Sequence, residues 1–170
     1  MTQMHGKLSK LKKRVTNEIG TILIILGCAL STACILFIAW KIFYDSPKFR
    51  MLKWLHSPGE APSLEGGFLL LLALVGLAFG ALLRDMHILI IGYLISQILS
   101  LLFASFFGFY YNWFVRGACA DPIWGSVPFA WEYVFFMVLT DMFRMIFPLA
   151  SVYCFLSAIF GNLLINFIRK

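Results

Sequence analysis

The second half of the chain holds the residues whose chemistry needs an account. Arg116, Cys119, Asp121 and Glu132 sit in VRGACADPIWGSVPFAWEY, residues 115–133, and Asp141 and Arg144 follow in TDMFRMIFP, residues 140–148. Acids held near a membrane surface can act as general acid and base. Two aspartates near a bilayer can also serve an intramembrane aspartyl hydrolase. Spacing speaks against both: Asp121 and Asp141 are twenty positions apart and carry no flanking pattern. No Walker A, GxSxG, HExxH or Rossmann glycine motif occurs in the chain. Pro122, Trp124 and Pro128 stiffen the loop. The expectation is an ordered aromatic cap that covers a helical bundle or meets a partner. Arg116, Asp121, Trp124, Glu132, Asp141 and Arg144 are its candidate contact residues.

Metal and cofactor chemistry finds little to work with. Cys28, Cys34, Cys119 and Cys154 include no CxxC pair, and cysteine in apolar runs behaves as a small hydrophobe. His5, His56 and His87 fall in the N-terminal tail and two loops, with no two at helix-face spacing to bridge a haem. No cofactor and no metal site is expected.

These residues depend on elements that composition identifies. Of 170 residues, 61% are hydrophobic and 13% charged, against about 25% charged in soluble domains. One small core cannot hide that excess, so lipid is the expected solvent. Trp and Tyr suit the two interfaces. The net charge of +6 lies beside apolar spans, where it acts as orientation signal and anionic-lipid contact. Nucleic acid is not an expected partner.

The hydropathy pattern predicts an all-α integral membrane protein, a single membrane domain over 1–170. Four transmembrane helices are expected at about 22–44, 68–83, 88–110 and 145–168, with interfacial helices besides. Residues 1–19 carry Lys7, Lys10, Lys12, Lys13 and Arg14, with Leu8, Leu11, Val15 and Ile19 at spacings of three and four. This is a basic amphipathic segment that can lie on an anionic leaflet. The first apolar run is too long for a cleaved signal h-region and reads as a retained anchor. The 45–67 loop holds KFRMLKWLH, a second interfacial candidate. Gly67 to Tyr110 would be about 66 Å long as one helix, twice a bilayer core, so it must fold back at Arg84-Asp85-Met86-His87. Those charges are then topological and not a buried pair.

The region 111–143 is expected to be a loop plus an interfacial or re-entrant helix, about 127–143. Asp141 and Arg144, three positions apart, can pair on one helix face. Arg144 can also snorkel toward phosphate. Pro148 permits a bend where the chain turns into the last span. With both termini in the cytoplasm, eight basic residues lie on that side and five, or six with Arg144, on the other, a modest positive-inside bias.

Small residues at four-residue spacing form the clearest pattern. Gly92, Ser96, Ser100, Ala104 and Gly108 make one unbroken row; Gly76 and Gly80 make a GxxxG; Asn162 and Asn166 continue a row from Ala150. Gly27 with Ser31, and Ala29 with Ala33, repeat the spacing in the first span. In lipid, helix contact depends on close packing and interhelical hydrogen bonds, so such rows mark seams. They serve either the bundle itself or contact with another subunit.

A non-catalytic subunit, assembly factor or adaptor of a larger membrane complex fits these features best. The expected partners are the bilayer, with anionic lipids at the N-terminal basic segment, and other membrane subunits or a second copy. A homo-oligomeric channel or transporter component is the first alternative. A membrane-embedded hydrolase or lipid-active enzyme using Asp121, Glu132 and Asp141 is the second.

Overall fold

A computed structural model describes residues 2–45, 64, 66–83, 85–115 and 131–169, with backbone alone for 2–17. Among the described residues the chain is almost wholly helical and has no strand. The elements are α1 (Thr2–Asp45), α2 (Gly66–Leu82), α3 (Met86–Tyr110) extended by a π-helical turn (Tyr111–Val115), α4 (Trp131–Ile146) and α5 (Leu149–Ile168). Three stretches are long and apolar enough to cross a bilayer: Glu18–Asp45 with 28 residues, Met86–Val115 with 30 and Leu149–Ile168 with 20. By length and composition this is a membrane protein. The 17 residues of α2 give about 25 Å, short of a core of about 30 Å.

The burial pattern is inverted relative to a water-soluble bundle. On α3 the buried face includes Gly92, Ser96, Ser100, Ala104 and Gly108, with Leu89, Tyr93, Gln97 and Ser105 beside them, while Ile91, Leu94, Ile98, Leu102 and Phe106 face outward. Water would penalise so many exposed large apolar groups. Lipid does not, and it leaves small residues free to bring backbones together.

Pairwise contacts give the topology. Gly92 lies beside Ile25 and Gly108 beside Trp40, so α1 and α3 run parallel. Gly76 lies against Cys154 and Gly80 against Ala158, so α2 and α5 run parallel as well. The α4–α5 segment descends along α3 in the opposite sense. Phe135 meets Phe109, Val138 meets Gly108, and Tyr93 meets Ser151. At the far end Asn162 reaches Leu83.

Two buried clusters follow from this arrangement. One joins Ala33, Leu36, Ala39 and Trp40 of α1 to Ala104 of α3 and to Val138, Met142, Met145 and Ile146 of α4. The other joins Cys28, Phe79, Leu83, Leu89, Tyr93, Cys154 and Ala158.

Element boundaries differ from the sequence reading in four places, the first being that Tyr111–Val115, expected as the start of a loop, is a π-helical turn that prolongs α3. The basic segment is not a separate helix; it continues into the first span without a break, giving 44 residues, about 66 Å. The helix expected at 127–143 is Trp131–Ile146. The last span does not begin at Met145: Met145 and Ile146 belong to α4, Phe147 and Pro148 form a turn, and α5 starts at Leu149. Proline has no N–H to offer the carbonyl four residues back, so the helix must end there. The peptide between Phe147 and Pro148 is cis. Asp85 caps α3, its Oδ1 accepting from His87 N at 2.9 Å, and it is exposed. This short polar side chain before a helix is the standard N-cap chemistry. The interfacial candidate in 45–67, apart from Leu64 and the start of α2, lies outside the described residues, as does Arg84.

Candidate functional site

Asp141 is the acid that the fold brings into a built environment. It sits on α4, whose Val138, Met142 and Met145 are buried and turn that helix toward α1 and α3. Spacings of four and three place these three on one face, with Asp141 on its edge. Two donors from α1 reach the same carboxylate oxygen, Oδ2: Tyr44 OH at 2.5 Å and Trp40 Nε1 at 3.3 Å. Trp40 is fully buried, and its ring lies 4.6 Å from that of Tyr44. Trp40 and Tyr44 are one helical turn apart, so both point the same way.

A second acid closes the end of α1. Tyr111, in the π-helical turn, donates its hydroxyl to Asp45 Oδ2 at 3.1 Å, and Lys41 Nζ lies 5.1 Å from the Tyr111 ring centroid. That geometry suits a cation–π contact. Phe37 packs edge-on against Phe107 and Tyr111. The result is an aromatic clamp in which two carboxylates tie three helical segments together. Hydrogen bonds to carboxylates run roughly twice as strong as neutral ones, and a low-dielectric setting strengthens them further.

Asp141 does not pair with Arg144. Its hydrogen bonds come from α1, and Arg144 is exposed on the flank of α4. The two side chains are close in sequence, but the pull of Tyr44 and Trp40 directs the carboxylate inward. Glu132 is exposed in the first turn of α4, where a negative charge suits the helix dipole. Arg116, Asp121 and Trp124 lie outside the described residues. The structure therefore does not bring Asp141 and Glu132 together, and Asp141 keeps company with aromatic donors.

The small-residue seam resolves into two kinds of contact. Added Cβ atoms at Gly76 and Gly80 would strike the carbonyl oxygens of Cys154 and Ala158, and one at Gly161 would strike that of Leu77. Here backbone lies on backbone. At Gly92 and Gly108 the neighbours are side chains: Ile25 Cδ1 would stand 3.1 Å from an added Cβ, and Val138 Cγ1 2.6 Å. Ser96, Ser100 and Ala104 between them are buried. The serine hydroxyls donate to carbonyls of their own helix, and Ser96 also shares a side-chain hydrogen bond with Cys28 of α1. Ser96 Oγ donates to Tyr93 O at 2.9 Å and Ser100 Oγ to Gln97 O at 2.8 Å, the familiar local competition of serine with its own helix. Asn162 does cross, its amide donating to Leu83 O. Asn166, exposed, donates to Asn162 Oδ1 at 3.1 Å and orients it. Gln97 Nε2 and Ser105 Oγ are buried without a hydrogen-bond partner among the described residues.

Trp40, Tyr44, Asp45, Lys41 and Tyr111 were not among the sequence candidates. Their signal was the i, i+4 pairing of Trp40 with Tyr44 and of Lys41 with Asp45 at the end of the first span, which also fits an ordinary interfacial belt. Gly161 and Tyr93 were missed as well; Tyr93 OH donates to Ser151 O at 2.6 Å. Among the described residues no three His, Cys, Asp or Glu side chains gather as a metal site. Comparison with known proteins finds no family model, no curated protein and no solved structure that matches this chain.

Proposed function

We propose that this protein is a non-catalytic subunit, assembly factor or adaptor of a larger membrane complex. Its four apolar helical regions would then all cross the bilayer, with both termini in the cytoplasm. In this reading the short α2 is one of the four crossings, and α4 and α5 together form the last, interrupted one. The observation that carries the proposal is the engagement of Asp141. Among the described residues the hydrogen bonds to this half-buried carboxylate both come from a neighbouring helix, from Trp40 and Tyr44. The carboxylate acts as a fastener, as befits a scaffold.

A second copy as the partner is favoured by α1. Ala29 and Ala33 are buried in the bundle, while Gly27, Ser31 and Cys34 on the opposite side are exposed, and an added Cβ on Gly27 would meet nothing within 4 Å. The first span thus carries two small-residue rows, one used inside the chain and one left outward.

Native purification of the full chain in mild detergent tests the proposal, with mass spectrometry of what accompanies it. Stoichiometric membrane partners, or a defined homo-oligomer, are expected. Solute flux in liposomes from the purified protein would move the reading to a pore. Loss of a lipid or peptide conversion in folded Asp141→Asn would move it to an enzyme.

A further inference from the structure

We infer that Arg144 is a phospholipid site: its guanidinium binds the phosphate of a lipid lying against the outer flank of α4. The inference rests on the membrane reading above. Arg144 is exposed, and arginine does not shed its charge in proteins. The nearest acid in sequence, Asp141, is held from the other side by Trp40 and Tyr44. A permanently charged group on an apolar surface needs an anion, and hydrocarbon provides none except at its boundary.

The position fits that boundary. Asp141 stands level with Trp40 and Tyr44, close to the end of α1 at Asp45. Arg144 is one turn further in, within reach of the headgroups by snorkelling. Tyr133, Met137, Thr140 and Arg144 follow at spacings of four, three and four and are all exposed, so one stripe leads from the guanidinium back toward the start of α4. Beside it Phe143 and Phe147, exposed and with rings 4.9 Å apart, offer an apolar wall to an acyl chain. A lipid phosphate occupies this depth without further cost. A partner protein's carboxylate would first have to be brought to this depth, whereas lipid phosphates already stand along the boundary. The planar fork of arginine matches phosphate in two-point geometry, which lysine cannot reproduce.

The test uses the full chain in detergent, with native mass spectrometry of bound lipid during titration with phosphatidylglycerol. Diacylglycerol with the same acyl chains serves as the phosphate-free control. Arg144→Gln is expected to bind phosphatidylglycerol roughly fivefold more weakly than the parent, the effect of one basic residue near a headgroup surface. Arg144→Lys should fall between them, and diacylglycerol should bind all three alike. The basic N-terminal segment is common to all three proteins and cancels in the comparison. Equal phosphatidylglycerol affinity in parent and Arg144→Gln overturns the inference. So does unchanged lipid with loss of a co-purifying protein, which would assign Arg144 to a protein carboxylate. Should the parent fail to enter vesicles of phosphatidylcholine and phosphatidylglycerol at all, the membrane reading falls and this site with it.

Discussion

The contact between α2 and α5 and the contact of α1 with α3 and α4 hold the same chain together by opposite means. Between α2 and α5 nothing large intervenes: Gly76, Gly80 and Gly161 sit directly on the partner backbone. Between α1, α3 and α4 the space is filled by Trp40, Leu36, Val138, Met142 and Ile146, with Asp141 and Asp45 fastening the rim. The first contact has no slack, because a backbone cannot rotate away. The second has side chains that can repack around a lost atom. Backbone-on-backbone packing gives specificity by exclusion; the aromatic clamp gives it by directed bonds.

The sharpest way to break this contrast is to add bulk at Gly80. Gly80→Val must push α2 off Ala158, and overpacking of this kind costs about 1–3 kcal/mol, occasionally more. We expect the largest loss of thermal stability there, seen as a fall in the unfolding midpoint in detergent. A parental midpoint would mean that α2 and α5 do not touch at that point. Next comes Asp141→Ala, which removes the acceptor of the fully buried Trp40 indole N–H; an unsatisfied buried group costs about 1–3 kcal/mol. Asp141→Asn keeps an acceptor oxygen and should lose less. Trp40 lies in this site, so its fluorescence is expected to shift in Asp141→Ala and to stay in place in Gly80→Val.

A double-mutant cycle of Tyr44→Phe with Asp141→Ala sharpens the clamp further. The pair shares a bond at 2.5 Å, and coupling of about 1 kcal/mol is expected from the range for contacting residues. Additive effects would show that the bond contributes nothing. Asn162→Ala should lose about 0.6–1.7 kcal/mol, the range for interhelical hydrogen bonds in membranes. The smallest effect belongs to Ser100→Ala. Its hydroxyl bonds its own helix, so removal should change stability by less than about 0.5 kcal/mol, while Ser100→Leu, at a fully buried position, should rank with Gly80→Val.

Much of the framework could be read in the sequence. Long apolar runs and the four-residue rows depend on local composition, and they foretold the helices and most of the buried small faces on α2 and α3. The backbone consequence of Pro148 was also local. The clamp could not be read in this way. Tyr44 and Asp141 are separated by 97 positions, and no spacing rule connects residues on different helices. Arg144, by contrast, is Asp141's near neighbour on one helix, which made the wrong pairing look natural. The serines of α3 show the same limit. Their row marked a seam, but whether a hydroxyl points across or back depends on what stands opposite.

The parallel pairing of α2 with α5 sets an order of events during biosynthesis. Chains emerge from the N-terminus, and elements dock as their partners arrive. The glycine face of α2 is made early, yet its partner is α5, Leu149–Ile168, some seventy positions later. Until α5 has been made, that face lacks the surface it packs on, so nascent protein stalled before α5 would present it to the insertion machinery, to quality control or to a waiting assembly partner.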